Sequence, residues 1–124
     1  LFISKMDLPD KSREALMAMQ ELVEDTHVND DIMKYTVELI CATRRHPSIS
    51  QGASPRATLA VIALSKAVAR LRGRNYVLPD DVRSVFLRAI PHRLRLSDEA
   101  VLQKQTEEDI LENILSAVKS PAVI

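Results

Sequence analysis

The sequence predicts an all-α fold, a bundle of four to five helices with at most one very short β-hairpin near residues 76–77 and 93–95. Three observations carry this prediction. Only two glycines occur in 124 residues, too few for the many turns of a β fold. Hydrophobic residues make up 46% and aromatics only 3%, so the core is aliphatic and rich in Leu, Met and Ala, which favour helices. Apolar positions also recur at helical spacing between residues that start and stop helices.

The elements follow in order. Ser12 to about Thr26 reads as a first helix, with Ala15, Leu16, Met19, Leu22 and Val23 on one face. Asn29 or Asp30 caps a second helix running to Arg45. Its apolar surface is Ile32, Tyr35, Val37, Leu39, Ile40 and Cys41, with Cys41 read as a small buried residue. Pro47 stops it, and "HPSISQGAS" follows as a loop. In the third helix Ser54 is the N-cap and Pro55 the first helical residue. Leu59, Ala60, Ala63, Leu64, Ala67, Val68 and Leu71 form its stripe, and Gly73 closes it with a positive φ. Its alanines permit close helix contact, which makes it the central helix. Pro79, Asp80 and Asp81 open a fourth helix that buries Val82, Val85, Phe86 and Ala89 and ends at Pro91. "HRLRL" reads as a short strand pairing with "NYV". Ser97 to Lys104 holds at most a short helical turn, and Thr106 caps a last helix that buries Ile110, Leu111, Ile114, Leu115 and Val118.

Composition excludes several function classes. Lysine plus arginine number 17 and aspartate plus glutamate 17, so there is no general pull toward nucleic acid or anionic membranes. A single cysteine forms no intrachain disulfide and suits a reducing, cytoplasmic setting. No apolar run is long enough to span a bilayer. The chain starts with "LFISKMDLPDK", which lacks both an initiating methionine and a signal-peptide pattern and fits a piece of a longer protein. There is no phosphate-binding loop, no G-x-G-x-x-G, no H-E-x-x-H and no G-x-S-x-G. His27, His46 and His92 do not combine with Cys41 at a metal-ligand spacing. Nothing here runs a reaction alone.

Three ordered motifs remain: Gly52-Ala53-Ser54-Pro55-Arg56-Ala57, Gly73-Arg74-Asn75-Tyr76-Val77-Leu78-Pro79-Asp80-Asp81-Val82, and His92-Arg93-Leu94. With them the chain resembles the C-terminal lid domain of MoxR-type AAA+ ATPases, over roughly Asn29 to Pro121. The resemblance implies a four- to five-helix AAA+ lid at 29–124, preceded at 1–28 by a helix or linker from the ATPase core. It implies that Arg56 is the sensor-2 residue, positioned by Gly52, Ser54 and Pro55. The P-loop, the other catalytic groups, ATP and Mg2+ then belong to the full-length parent. The parent is expected to be a hexameric ring ATPase that remodels client proteins and binds no nucleic acid. Leu78 stands where the family commonly has a capping threonine, and Asn75 where it often has aspartate.

Each marked residue also has a plainer account. Arg56 alone reads as a surface arginine paired with a carboxylate, and only its motif favours a phosphate. A guanidinium is a fixed array of donors that stays charged, and a helix N-terminus favours anions. Gly52 reads as a loop glycine with positive φ. Lys66, Arg70, Arg72 and Arg74 form a basic run that fits either phosphate contact or a solvated helix end. His92 and Arg93 fit a domain boundary as well as a strand. The alternatives to an ATPase lid are a helix-turn-helix DNA-binding module, built from the third and fourth helices, and a protein-interaction bundle. Acidic residues at the start of the fourth helix argue against DNA.

Overall fold

A computed structural model describes residues 10–121. The first nine residues of the segment read as a linker lie outside the described residues. The elements are α1 (Asp10–Glu24), α2 (Asp30–Arg45), β1 (Ile49–Gln51), α3 (Arg56–Leu71), α4 (Pro79–Ala89), a 3-10 turn (Pro91–Arg93), β2 (Arg95–Leu96), α5 (Asp98–Leu102) and α6 (Glu107–Ala117). The all-helical class holds, and α5 is the short turn expected between Ser97 and Lys104.

Local chemistry sets the helix ends. Asn29 Oδ1 accepts from the Asp31 N–H at 2.8 Å, and Asp30 and Asp31 lie in the first turn of α2. Thr106 Oγ1 accepts from the Asp109 N–H at 3.2 Å to start α6, as its sequence predicts. Gly73 sits at φ +79° just beyond α3, in the left-handed conformation that closes a helix.

Helix α3 is central and packs on α1, α2 and α4. Phe86, Leu39, Ile90, Leu111, Val61 and Val82 are the largest apolar side chains fully withdrawn from solvent. The inner face of α3 is not the predicted stripe. Ala57, Val61, Ile62, Ser65 and Ala69 point inward, whereas Leu59 is 70% exposed and Leu71 79% exposed. The helix is apolar nearly all round, so periodicity cannot choose a face. Packing leaves Leu59, Leu64 and Leu71 outside and turns Val61 and Ile62 inward with the small Ala57, Ser65 and Ala69. The buried Ser65 hydroxyl is satisfied by donating to the Val61 carbonyl at 2.7 Å.

The predicted face of α2 is corrected as well. Val37 and Cys41 are exposed, and Thr36 and Thr43 are buried in their place. Each threonine hydroxyl donates back to its own helix, to Ile32 O at 2.9 Å and Ile40 O at 2.6 Å. Along α1, Leu16 and Val23 are half-buried, while Met19 and Leu22 stand exposed.

The small sheet is also placed differently from the prediction. β1 and β2 are antiparallel, with Ile49 opposite Leu96 and Gln51 opposite Arg95, and a bulge falls between Ile49 and Gln51. The expected pairing of 76–77 with 93–95 does not form. Pro91 opens a 3-10 turn that carries His92 and Arg93, so the extended segment starts at Arg95. Tyr76 instead forms an isolated parallel bridge to His27, with the Val77 N–H donating to His27 O at 2.9 Å. None of the described helices is long and apolar enough to cross a membrane.

Candidate functional site

The loop from Gln51 to Pro55 links β1 to α3 and determines where Arg56 stands. Its path is set by close contact with the end of α2. A Cβ on Gly52 would fall 2.6 Å from the Thr43 carbonyl oxygen and 2.7 Å from Arg44 Cα. Glycine is therefore required by backbone approach, not by the positive φ that the sequence suggests, which Gly52 does not adopt. Ala53 is fully buried, and its N–H donates to Thr43 Oγ1 at 3.1 Å. Ser54 makes no side-chain cap, contrary to the expectation. Backbone carbonyls start the helix: Ser54 O accepts from the Ala57 N–H at 2.9 Å and Pro55 O from the Thr58 N–H at 3.1 Å. Pro55 already has helical angles, φ −56° and ψ −27°, so it pre-sets the first turn as predicted.

Arg56 is exposed and makes no hydrogen bond or ion pair with any described residue. The loop that leads to Arg56 borders a shallow hollow of about 360 Å³, lined by Arg44, Ser50, Gly52, Ser54 and Pro55 among others. The four predicted residues are neighbours on one loop and helix start: Gly52 as the point of close approach, Ser54 and Pro55 as the helix start, Arg56 as a cation without a partner among the described residues. A free guanidinium beside a helix N-terminus fits a phosphate group. Among the described residues there is no cluster of three or more His, Cys, Asp or Glu that could hold a metal ion.

The basic run has a structural use. Arg70 Nε donates to Leu22 O and Thr26 Oγ1, both at 2.8 Å, and so ties α1 to α3. Arg72 and Arg74 converge on Asp81, whose side chain is wholly buried. Arg74 approaches with two bonds of 2.7 Å, Arg72 with one of 2.9 Å, and the Leu78 N–H adds a fourth at 2.8 Å. Burial alone would push the Asp81 carboxyl up. Hydrogen bonds from Arg74 and the Leu78 N–H, with the charges of both arginines, hold it below its ordinary value instead. Asp81 thus makes the reciprocal capping bond, accepting from the Leu78 N–H, while the Asp81 N–H donates at 3.0 Å to the Leu78 carbonyl in place of the side-chain oxygen that Leu78 lacks. Reading Asp80 and Asp81 only as helix-start residues misses this clamp; the signal was the arginine and aspartate of the second motif, seven positions apart.

A larger apolar hollow of about 490 Å³ lies between α3 and α4, floored by Leu64, Val68, Leu71, Val85 and Ala89. It is formed from the C-terminal half of α3, whereas Arg56 stands at the N-terminus.

Residues 41–114 match the family described as the AAA lid domain. The chain belongs to that family. Relatives of this lid include the uncharacterized protein YeaC of Bacillus subtilis, 37% identical over 113 residues, which covers 91% of the chain and 35% of that protein. The chaperone MoxR1 of Mycobacterium tuberculosis is 32% identical over 117 residues, 87% of the chain and 31% of the chaperone. A solved structure of a putative ATPase from Cytophaga hutchinsonii superposes with a TM-score of 0.77 at 30% identity, over 82% of the lid and 34% of that protein. The lid therefore spans about a third of the length of each of these proteins. It is a lid of the MoxR-type AAA+ family.

Proposed function

We propose that this lid gives an AAA+ ATPase its sensor-2 arginine, Arg56, which contacts the β- and γ-phosphates of ATP held by the parent's own core. The observation that carries the reading is the exposed guanidinium of Arg56, without a partner among the described residues. It stands at the start of a helix whose preceding loop is pinned to α2. In that role it stabilises charge that shifts during phosphoryl transfer. ATP and Mg2+ are bound outside this chain, in a cytoplasmic ring of six subunits that acts on client proteins. The segment 1–28 links lid and core, and its described part moves with the lid because Arg70 ties α1 to α3.

Nucleic acid is not part of the proposal. Arg72 and Arg74 each pair with Asp81, which supports a structural use of the basic run over contact with duplex phosphates. A protein-docking role has one supporting observation, the apolar hollow between α3 and α4.

The test is ATP turnover by the full-length parent. Arg56→Ala is expected to lower kcat by about 10²-fold or more, the scale of losing one oriented donor to developing charge. The isolated lid is expected to keep its melting temperature, since Arg56 holds nothing in place. Unchanged turnover would remove the sensor reading.

A further inference from the structure

We propose that Thr43 is a positioning residue for Arg56, its hydroxyl setting where the guanidinium stands. The inference rests on the sensor reading above and adds one residue to it.

Thr43 lies near the end of α2 and is fully buried. Its Oγ1 donates to Ile40 O at 2.6 Å and accepts from the Ala53 N–H at 3.1 Å. A hydroxyl has one proton and two lone pairs, so both bonds coexist. The second bond crosses from helix to loop. The contact is reinforced where Gly52 lies against the Thr43 carbonyl, with no room for a Cβ. Only Ser54 and Pro55 separate Ala53 from Arg56. Pro55 has its φ restricted by its ring, and Ala57 on the far side is fully buried. Little slack remains, so a shift of the loop at Ala53 is passed on to Arg56.

Thr36 is an internal control. It is fully buried on the same helix, and its hydroxyl donates to Ile32 O at 2.9 Å without touching the loop. Removing either hydroxyl perturbs α2 in the same way, but only Thr43 reaches toward Arg56.

The experiment uses the full-length parent. A misplacement of about 1 Å at a reacting centre costs about 10²-fold. Thr43→Val is therefore expected to lower kcat by at least about ten-fold, with Thr43→Ser and Thr36→Val close to the parent. In an Arg56→Ala background, Thr43→Val is expected to add nothing, because its effect runs through the missing guanidinium. Hydrogen exchange of the segment containing Ala53, followed without nucleotide, is expected to speed up in Thr43→Val and not in Thr36→Val. Thr43→Ala gives the same readings should valine pack badly. The inference is overturned if Thr43→Val keeps parental turnover while Arg56→Ala loses it, and the sensor reading then still stands. Equal losses from Thr43→Val and Thr36→Val, or a full extra loss in the Arg56→Ala background, also overturn it. If Arg56→Ala itself leaves turnover unchanged, the sensor reading fails and this inference falls with it.

Discussion

Replacing Asp81 with alanine tests the clamp at the α3–α4 junction most directly. The change removes the acceptor for three guanidinium N–H bonds and for the Leu78 N–H. The two arginines do not lose equally. Arg72 is 45% exposed and can turn to water, whereas Arg74 is 18% exposed and is left poorly solvated. Breaking a buried pair by deleting one partner costs about 3–5 kcal/mol. The partial exposure of Arg74 places Asp81→Ala near the lower end, about 3 kcal/mol. That is a large share of the roughly 5–15 kcal/mol a domain has in total. With a urea slope of about 1.5 kcal/mol/M, the unfolding midpoint falls by about 2 M. Arg74→Ala should cost nearly as much, and Arg72→Ala at most about 1 kcal/mol. Acid gives an independent check. The folded carboxyl titrates below the unfolded value near 3.9. Its contribution is therefore full above about pH 4 and is lost as pH falls through the folded pKa. The Asp81→Ala penalty should shrink over that acid window. A neutral-pH cost under about 1 kcal/mol, or equal costs at Arg72 and Arg74, would refute the clamp.

Two further outcomes are expected. Gly52→Ala should destabilise the lid by about 1–3 kcal/mol in thermal melting, because the new methyl meets the backbone of Thr43 and Arg44. A neutral result would mean the loop gives way there. Tyr35→Phe should be neutral or stabilise by up to about 1 kcal/mol in the same assay. The Tyr35 hydroxyl is buried without a partner among the described residues, and burial pushes its phenol up.

Much of the fold is readable in the sequence where capping chemistry and patterning agree. Asn29, Thr106 and Gly73 each mark a helix end by a local rule, and each acts there as its type predicts. Ile110, Leu111, Ile114 and Leu115 all point inward because the rest of α6 is polar and leaves one choice. The failures have a common cause. In α3 both faces are apolar, and tertiary packing decides between them. In α2 a threonine reads as polar until its hydroxyl is seen bonded to its own helix. The hairpin partner was missed because a three-residue strand, Ile49–Gln51, has too little pattern to detect. At the candidate site Arg56 stands out in the sequence only through its motif. The Thr43 to Ala53 bond has no such signal, since the partners lie ten positions apart across a helix end, a short strand and a loop.

Helix α3 also joins two fixed points. The helix has 16 residues and is about 24 Å long. Arg56 is at one end, and the other end is fastened through Arg72 and Arg74 to α4. With the clamp alone, a pivot of about 5° at Asp81 would sweep the Arg56 end through about 2 Å, on the helical rise of 1.5 Å per residue, and the Thr43 to Ala53 bond opposes that swing. That distance separates a guanidinium in hydrogen-bond contact from one that has lost it. The place of Arg56 is thus held from two joints about 24 Å apart, the Asp81 clamp and the Thr43 to Ala53 bond, so loosening either one loosens the guanidinium.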